Sequence, residues 1–522
     1  MAVVSAGRFA PPRALLLYAW LVPALLGVTA LAAALAAVSG LLVVSHGKVL
    51  LFWMVAWGGL VEALLIIPMP QLGCYRLFVL IPFVEWLAKQ IPGAGATSAQ
   101  DWIILLHTAS VMLRVREWPL PQSFNFPLLL FLLLNFFQGF NPNLNSWLII
   151  YYGIRANVLP LLMFYVGFYV FRDEREMKRL LWWIAAIALL CCVWGWKQFF
   201  VGLDPMELQW AGGGPSQVTG DPTSYWNGPY LRVFGPFPGP WQFSEFLVNM
   251  IMMVTALFFA ARALFARVVC VLLLSAYFFT IALIQVKAAY FALLTAVVIL
   301  VFARLPRNLR FAWLGIVLGG LVAFYLSLLL LVGPEGSASS SFGKILVGFN
   351  PLASDEMQWR ATNWDLYLNA IALAPLGWGV GMTTPVAVQA RLVPASPLSQ
   401  YITYLFELGW ISIPLFIWMT AAAFGAGFRA ARLAKSRFAV WFIPAMIGSH
   451  GALLIHYFFT PLAASPGTTY FWFLYGAACA YPFIRRDEPL PRGPITVPLL
   501  RPRPLLIEAP SERALPPATT TA

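Results

Sequence analysis

Five basic residues are predicted to project to the outer side of the membrane, where they could bind an anionic substrate. These residues are Arg155, Arg232, Lys287, Arg360 and Arg391. Lysine and arginine in the loops of a multi-span protein collect on the cytoplasmic side, so basic residues on the other side need a different reason. A guanidinium group donates two parallel hydrogen bonds to phosphate, and several together suit a diphosphate. The residue types therefore predict a site for a phosphorylated substrate.

Two of these cations, Lys287 and Arg232, also have a purely structural interpretation. Lys287 occupies a tight turn between two apolar runs, from which its ammonium group can extend to the membrane surface. Arg232, Gly235 and Pro240 fit an ordinary loop that leads into a helix, with the proline in the first turn. Arg155 lies within an apolar run, where an arginine faces the bundle interior or a polar cavity. The residues alone leave both interpretations open.

Three carboxylates are candidates for a general base that takes the proton from an attacking hydroxyl group. In falling order they are Glu407, Asp365 and Glu245. Glu407 and Glu245 lie a few residues inside predicted spans, where burial can tune a carboxyl pKa. The alternative is that each carboxylate forms an ion pair with one of the cations.

The segment 334–396 is the longest polar interruption between apolar segments, and it must position several of these side chains. Trp364, Tyr367, Leu368 and Ile371 follow helical spacing, which predicts a short amphipathic helix at the membrane surface.

Arg360 lies one turn before that apolar stripe, on the same face. A glycine-rich turn follows the helix, with Gly377, Gly379 and Gly381. Glycines allow the backbone to approach another group closely. The segment 201–240 is the second long outside loop, and it contains Arg232.

The composition predicts an all-α protein that crosses a membrane many times. Of 522 residues, 61% are hydrophobic and 10% are charged, far from the roughly 25% charged residues of a soluble domain. Basic loops explain the net charge of +13, so no nucleic-acid partner is expected. The five cysteines lack metal-ligand spacing, and no nucleotide-binding motif is found. No cofactor and no metal are therefore expected.

The basic clusters predict one orientation for the whole chain. Clusters near residues 8, 172, 262, 304 and 429 fall on one side, which the positive-inside rule makes cytoplasmic, and both termini are expected there. Hydropathy predicts about twelve spans: 14–44, 49–67, 123–140, 149–171, 180–200, 241–261, 268–285, 288–304, 311–333, 397–424, 438–459 and 467–484.

Two apolar segments are too short to assign, and the tail has a different composition. The segments 77–88 and 102–113 form either two further spans or an interfacial hairpin on the cytoplasmic side. Residues 1–486 are predicted to form a membrane domain. Residues 487–522 are rich in proline, which predicts a disordered cytoplasmic tail.

Four motifs within residues 140–484 resemble the bacterial superfamily of O-antigen ligases and O-antigen or exopolysaccharide polymerases. They are similar to an Arg-x-x-Gly-x-x-x-x-Pro motif, a Ser-Arg-Gly/Ala turn, a long extracytoplasmic loop and the start of the following span. The residues that carry this resemblance are Arg232, Gly235 and Pro240; the turn Val286-Lys287-Ala288-Ala289; Arg360, Trp364 and the turn from Pro375 to Gly381; and Tyr401, Glu407 and Gly409.

The resemblance implies a multi-span glycosyltransferase of the GT-C type at the outer face of the inner membrane. Its donor would be an undecaprenyl-diphosphate-linked glycan, and its acceptor a glycan or a lipid-linked glycan, without nucleotide sugar or metal. Arg232, Arg360 and Arg391, with Lys287, are then expected to hold the donor diphosphate. Arg155 and Tyr401 are further candidates for substrate contacts. Chain-length or export proteins of polysaccharide assembly are possible partners.

Two positions depart from the family pattern. The loop position that usually holds histidine is Leu398, and the adjacent asparagine position is Ser399. The arginine of the short turn is replaced by Lys287. Because the histidine is the presumed base of the ligases, its absence favours a polymerase over a ligase.

Two other functions remain open from the sequence. A transporter or lipid-glycan flippase would need a site near the membrane midplane, often with broken helices in paired halves. This chain concentrates its polar residues in outside loops, which favours chemistry at the outer face. A non-catalytic partner in polysaccharide assembly is compatible with the missing histidine.

Overall fold

The computed structural model describes residues 70–90, 96–114, 124–171, 173–211, 225–227, 230–317, 319–320, 355–393, 396–461 and 465–484. The predicted spans 14–44 and 49–67, most of the span 311–333 and the tail 487–522 lie outside these ranges. The described residues all belong to one unit, Leu25–Glu488.

The described chain is built from helices. In order they are α1 (Pro70–Gln90), α2 (Ala96–Arg114), α3 (Asn125–Gln138), α4 (Trp147–Val170), α5 (Glu174–Phe200), α6 (Pro205–Ala211), α7 (Pro240–Ala260), α8 (Leu264–Ile284), α9 (Lys287–Arg304), α10 (Asp355–Leu373), α11 (Pro385–Gln389), α12 (Gln400–Leu408), α13 (Ser412–Leu433), α14 (Arg437–Phe459) and α15 (Pro466–Ala480). Two-residue segments β1 (Trp226–Asn227) and β2 (Tyr230–Leu231) pair antiparallel.

Seven helices in the described ranges are long and apolar enough to cross a membrane. They are α4, α5, α7, α8, α9, α13 and α14. A helix satisfies its own backbone hydrogen bonds, which is the requirement that hydrocarbon imposes on a spanning segment. The prediction of an all-α polytopic membrane protein is confirmed.

Basic residues gather at one end of the bundle, which we call the basic end. Arg304, at the end of α9, lies over the ring of Trp441 with its guanidinium carbon 4.4 Å from the ring centroid. Arg437, at the start of α14, donates from Nε to the Phe259 carbonyl oxygen at 2.9 Å. The rings of Phe259 and Trp441 stack at 4.1 Å. The ends of α7 and α9 therefore meet the start of α14 here.

The opposite end, which we call the site end, joins the other ends of the same helices. Phe291, one turn into α9, stacks on Phe459 at the end of α14, with 6.4 Å between ring centroids. Ser465, which caps the start of α15, donates a hydrogen bond to Glu245 in the second turn of α7. The long loops that follow α5 and precede α12 meet at this end.

The helices α1 and α2 run along the bundle. Gln71 donates to the carbonyl oxygen of Val170 at the basic end of α4 (3.2 Å). Trp86, near the other end of α1, packs against Trp194 in the last third of α5, with 5.3 Å between ring centroids. Helix α1 therefore extends along α4 and α5, and the choice between two spans and a hairpin for segments 77–88 and 102–113 stays a prediction.

The predicted span 397–424 is not one helix. It divides into α12 and α13 at Gly409, which has φ of 80°. A Cβ atom at this glycine would lie 2.6 Å from the carbonyl oxygen of Pro375, and the Trp410 amide donates to the same oxygen at 3.0 Å. The chain turns here because the loop after α10 packs against it.

Close packing of small residues joins α4 to α15. A Cβ atom at Gly167 would lie 1.9 Å from the carbonyl oxygen of Phe473, and one at Gly476 would lie 2.0 Å from that of Phe164. Lipid supplies no hydrophobic force between spans, so close backbone contact of this kind contributes much of helix association. The seam fixes α15, whose first residue lies next to the candidate site.

Candidate functional site

Two arginines from different loops meet on one tryptophan at the site end. Trp241 is the second residue of α7. The guanidinium carbon of Arg232 lies 5.8 Å from the centroid of its ring, and that of Arg360 lies 5.6 Å from the same centroid. An indole attracts cations through the negative potential of its face. The structure thus brings together two of the three arginines that the sequence analysis assigned to a diphosphate.

Arg360 is also fixed by backbone carbonyl groups. Its Nη1 donates to the carbonyl oxygen of Phe459 at 2.5 Å and to that of Leu398 at 3.2 Å. The side chain is 3% exposed. It joins α10 to the end of α14 and to the segment before α12.

The predicted amphipathic helix exists as α10, with one difference in its buried face. Trp364 donates from Nε1 to the Pro397 carbonyl oxygen at 3.0 Å, and Tyr367 and Ile371 are buried. Leu368 is 46% exposed, although its spacing placed it on the apolar stripe. The buried face passes through Arg360, so the helix holds this arginine against the bundle.

The loop position where the family resemblance expects histidine borders the Arg360 guanidinium. Leu398 has φ of 53°, a left-handed conformation that costs a residue with a Cβ atom about 1–2 kcal/mol. In this conformation its carbonyl oxygen accepts a hydrogen bond from Arg360. The adjacent Ser399 is buried and donates to the Tyr457 carbonyl oxygen at 3.4 Å. This segment therefore contributes a backbone oxygen next to the arginines.

Lys287 lies at the same end of the bundle. It is the first residue of α9 and is partly exposed. Gln285, at the end of α8, has φ of 56°, which makes the turn between the two helices tight. One turn into α9, Phe291 stacks on Phe459, whose carbonyl group binds Arg360. The start of α9 thus adjoins the residue that anchors Arg360.

The glycine-rich turn after α10 approaches protein backbone. Gly377 and Gly381 have φ of 97° and 89°. A Cβ atom at Gly377 would lie 2.6 Å from the Glu407 carbonyl oxygen, and one at Gly381 would lie 2.1 Å from that of Ile149. Gly379 has φ of 108° and meets the Leu144 side chain. The close approach that the glycines predict is the packing of this turn between α4 and α12.

Glu407 ties that turn to α4. Its Oε1 accepts hydrogen bonds from the amide and hydroxyl groups of Thr383 at 2.9 and 2.6 Å, and its Oε2 accepts from Asn157 at 3.3 Å. The side chain is 2% exposed. Burial raises the pKa of Glu407, although the hydrogen bonds from Thr383 and Asn157 act in the opposite direction. Among the described residues, no cation forms the ion pair with this carboxylate that the alternative predicted.

Glu245 joins α7 to α15. It accepts hydrogen bonds from the hydroxyl groups of Ser465 and of Thr468, the latter at 2.7 Å. It is 1% exposed and lies one turn deeper in the bundle than Trp241. Its partners are hydroxyl groups rather than a cation, and they belong to the first turn of α15. Its use as a base stays a prediction.

Asp365 and Arg391 are exposed. Asp365 accepts a hydrogen bond from Asn369 at 3.4 Å, within α10. Five residues separate it from Arg360, which places it about 140° around the helix from that arginine. Arg391 follows α11 and has φ of 57°. The contacts that bring Arg232 and Arg360 together do not include either residue.

Arg155 and Tyr401 contact other parts of the bundle. Arg155 forms an ion pair from Nε to Asp101 Oδ2 at 2.7 Å, and the Tyr151 hydroxyl group donates to the same oxygen at 2.9 Å. Tyr401 donates its hydroxyl group to the Leu454 carbonyl oxygen at 2.8 Å. Arg155 connects α4 to α2, and Tyr401 connects α12 to α14.

The sequence analysis missed the residues that support the arginines. Trp241 follows Pro240 directly and was not singled out as a functional residue. Gln198, at the end of α5, binds the loop that carries Arg232 through Gly235. A buried glutamine near the end of an apolar run is the one signal that the sequence offered for it.

Comparison of the sequence with family models and with curated proteins finds no match.

Proposed function

We propose that this protein transfers glycan units from undecaprenyl diphosphate to a glycan or lipid-linked acceptor at the outer face of the inner membrane. In this proposal it is a metal-independent polymerase, or less favourably a ligase, of surface polysaccharide. It has the GT-C-like topology of the O-antigen ligase and polymerase superfamily, with about twelve spans and both termini in the cytoplasm.

The observation that carries the proposal is the convergence of Arg232 and Arg360 on Trp241. Two guanidinium groups so placed suit a diphosphate, because each can present a planar pair of donors to phosphate oxygens. They lie at the end opposite Arg304 and Arg437, which supports an outside location. Lys287 begins α9 at the same end and can add a third charge.

The transfer is a substitution at the anomeric carbon of the donor glycan. The acceptor hydroxyl oxygen forms a bond to that carbon, while the bond from the carbon to the diphosphate oxygen breaks. The electron pair of the broken bond stays with the diphosphate, whose charge Arg232 and Arg360 stabilise. Such stabilisation is usually the largest single contribution to catalysis. The hydroxyl proton passes to a base, and undecaprenyl diphosphate leaves.

The geometry gives the three base candidates different merits. Glu407 and Glu245 are buried and hold neighbouring elements together, so an acceptor sugar would reach them only after those hydrogen bonds opened. Asp365 is exposed, but it lies away from the Arg360 face of α10. We therefore leave the base unassigned. Leu398, at the family histidine position, favours a polymerase.

The test is the substitution Arg360→Lys, which keeps the positive charge and loses the planar guanidinium. Losing one charge-stabilising donor typically lowers the rate by roughly 100- to 1,000-fold. We expect a matching loss of surface polymer, with lipid-linked units accumulating on the outer face. The measurement is the amount of polymer and the side on which undecaprenyl-linked glycan accumulates, normalised to the amount of protein in membranes.

Near-normal polymer from both Arg360→Lys and Arg232→Lys would refute the diphosphate site. Accumulation of lipid-linked units on the inner face would instead identify a flippase. Loss of polymer without accumulation on either face, at normal protein level, would support a non-catalytic assembly role.

The orientation can be measured independently of activity. All five native cysteines are buried, so a single introduced cysteine reports its own accessibility. Asp365→Cys, at the site end, should react with a membrane-impermeant maleimide added outside spheroplasts. Lys435→Cys, in the exposed turn at the basic end, should react only after lysis. The reverse pattern would contradict an outside reaction.

A further inference from the structure

A buried glutamine holds the loop that carries Arg232. The Oε1 atom of Gln198 accepts hydrogen bonds from the amides of Phe234 and Gly235, at 3.1 and 2.8 Å. Its Nε2 atom donates to the carbonyl oxygen of Gly235 at 3.0 Å. One side-chain amide therefore binds both the N–H and the C=O of Gly235. The glutamine is 1% exposed, so these bonds do not compete with bulk water.

Glu207 determines which way this amide faces. Its Oε1 accepts a second hydrogen bond from Gln198 Nε2 at 2.9 Å. An ionised carboxylate only accepts hydrogen bonds, so the NH2 group of Gln198 must point towards it. The amide oxygen is then directed at the amides of Phe234 and Gly235. A flipped amide would place oxygen against oxygen at both Glu207 and the Gly235 carbonyl group.

Glu207 is itself held by several donors. Trp194 Nε1 and Lys197 Nζ each donate to it at 2.8 Å, and the Asp204 amide donates at 3.0 Å. Burial alone would raise the pKa of Glu207, but the hydrogen bonds from Lys197, Gln198, Asp204 and Trp194 together hold it below its usual range. The carboxylate is therefore ionised at neutral pH and keeps its role as an acceptor.

We infer that Gln198 and Glu207 position Arg232 by clamping the backbone N–H and C=O groups of Gly235. Only two residues lie between Arg232 and Gly235, so a displaced Gly235 moves the arginine relative to Trp241. Misplacement of a binding group by about 1 Å can cost about 100-fold in rate. The inference deepens the proposed function, because it rests on Arg232 binding the donor diphosphate.

The first measurement concerns the loop and does not depend on activity. Val233, next to Arg232, is buried, so Val233→Cys should react slowly with a maleimide in the purified full-length protein. Gln198→Met keeps the volume of the side chain and removes all four hydrogen bonds. We expect it to speed the labelling of Val233→Cys about tenfold or more, because local opening exposes the loop. An unchanged labelling rate would overturn the inference.

The matched control is Gln209→Ala, at an exposed glutamine of α6, which should leave the labelling of Val233→Cys unchanged. Glu207→Gln provides a milder second variant, since it keeps the packing and no longer forces the orientation of Gln198. It should speed labelling in the same direction by a smaller factor. If Gln198→Met does not accumulate in membranes, unchanged labelling in Glu207→Gln overturns the inference.

The second measurement asks whether the clamp acts through Arg232. The probe is undecaprenyl diphosphate, and the measured quantity is its Kd for the full-length protein in detergent. Gln198→Met should displace Arg232, so that the probe loses a hydrogen bond from this guanidinium group. Losing a hydrogen bond to a charged group typically weakens binding by about tenfold or more, so we expect the Kd to rise by that factor. In an Arg232→Ala background, Gln198→Met should add almost nothing.

The outcomes separate the inference from the proposed function. Multiplying effects of Gln198→Met and Arg232→Ala would show that the glutamine does not act through the arginine, and would overturn the inference. Wild-type binding of the probe by Arg232→Ala would refute the proposed diphosphate site. In that case the labelling of Val233→Cys still decides whether Gln198 holds the loop.

Discussion

Two regions whose residues the sequence analysis proposed for substrate binding or catalysis have different structures. In the first half of α4, Arg155 forms an ion pair with Asp101 on α2. Two residues further along, Asn157 donates to Glu407, which also binds the turn after α10. At the start of α7, Arg232 and Arg360 lie against Trp241 instead. The first region joins elements through paired polar groups, and the second gathers two cations on one aromatic ring.

The difference indicates how a cation in a membrane protein can be assigned to a structural role or to a binding role. An arginine bonded to a carboxylate balances a buried charge, and Lys can often do the same. Two guanidinium groups within reach of one indole place several donors of the same charge at one point, which suits an anion such as the proposed diphosphate. The paired groups of the α4 region join helices to one another, and the Trp241 region fits the diphosphate site that we propose.

Among the variants that test this comparison, Trp241→Leu is expected to have the largest effect on polymer formation. Each cation–π contact contributes roughly 0.5–2 kcal/mol, so the loss of two should lower polymer formation by about 5- to 1,000-fold. Trp241→Phe keeps an aromatic face and should fall between the wild type and the leucine variant. The measurement is surface polymer per amount of membrane protein.

Leucine and phenylalanine variants with equal and near-normal polymer would show that the ring does not hold the arginines. Trp410→Leu is the control, because Trp410 is an exposed tryptophan at the start of α13 and contacts neither arginine in the described structure. Its substitution should leave polymer formation unchanged.

A smaller effect, on stability, is expected from Glu407. Glu407→Ala leaves the buried amide of Thr383 and the side chain of Asn157 without their acceptor, which costs about 1–3 kcal/mol. Glu407→Gln keeps an oxygen for Thr383 and should cost less. The measurement is the thermal unfolding temperature of the purified protein in detergent. An equal decrease of the unfolding temperature in both variants would show that the hydrogen bonds accepted by Glu407 do not join the turn to α4.

The pH dependence of stability gives the same residue a second test. The pKa of Glu407 is raised in the folded protein. The folded protein therefore binds the proton of this carboxyl group more tightly than the unfolded chain does. Stability from this group is therefore highest below its ordinary pKa of 4.5 and declines as pH rises through the raised value. Glu407→Gln should remove this decline. A decline of unchanged size in that variant would assign the pH dependence to another group.

The sequence predicted the elements of this site better than their neighbours in space. Apolar runs placed α7, α9 and α14 within a few residues, because a spanning helix requires about 20 apolar residues. Helical spacing also found α10 and put Arg360 and Trp364 on one face. These features are local, so the periodicity of side chains is enough to reveal them.

Features that depend on distant contacts were not predictable. The break at Gly409 lies within a continuous apolar run, and its cause is the packing of Pro375 against it. The partner of Arg155 was not identified because Asp101 precedes a segment too short to assign. Gln198 reaches Gly235 across 37 residues of sequence, and no local pattern links them.

The smallest effect on stability and on polymer formation is expected from Arg155→Lys. This variant tests the comparison in the α4 region. A lysine at this position keeps a cation beside Asp101 and loses only the fork of donors. Because the pair is partly exposed, with Arg155 at 15% and Asp101 at 7% side-chain exposure, the loss should stay near 1 kcal/mol or less. Polymer formation should remain within about twofold of wild type, a change of less than 0.5 kcal/mol.

Removing the positive charge with Arg155→Met leaves Asp101 as a buried carboxylate without this partner, and stability should then fall by about 3 kcal/mol or more. Polymer formation that drops as far for Arg155→Lys as for Arg360→Lys, at normal protein level, would place Arg155 in the binding site and remove the distinction between the two regions.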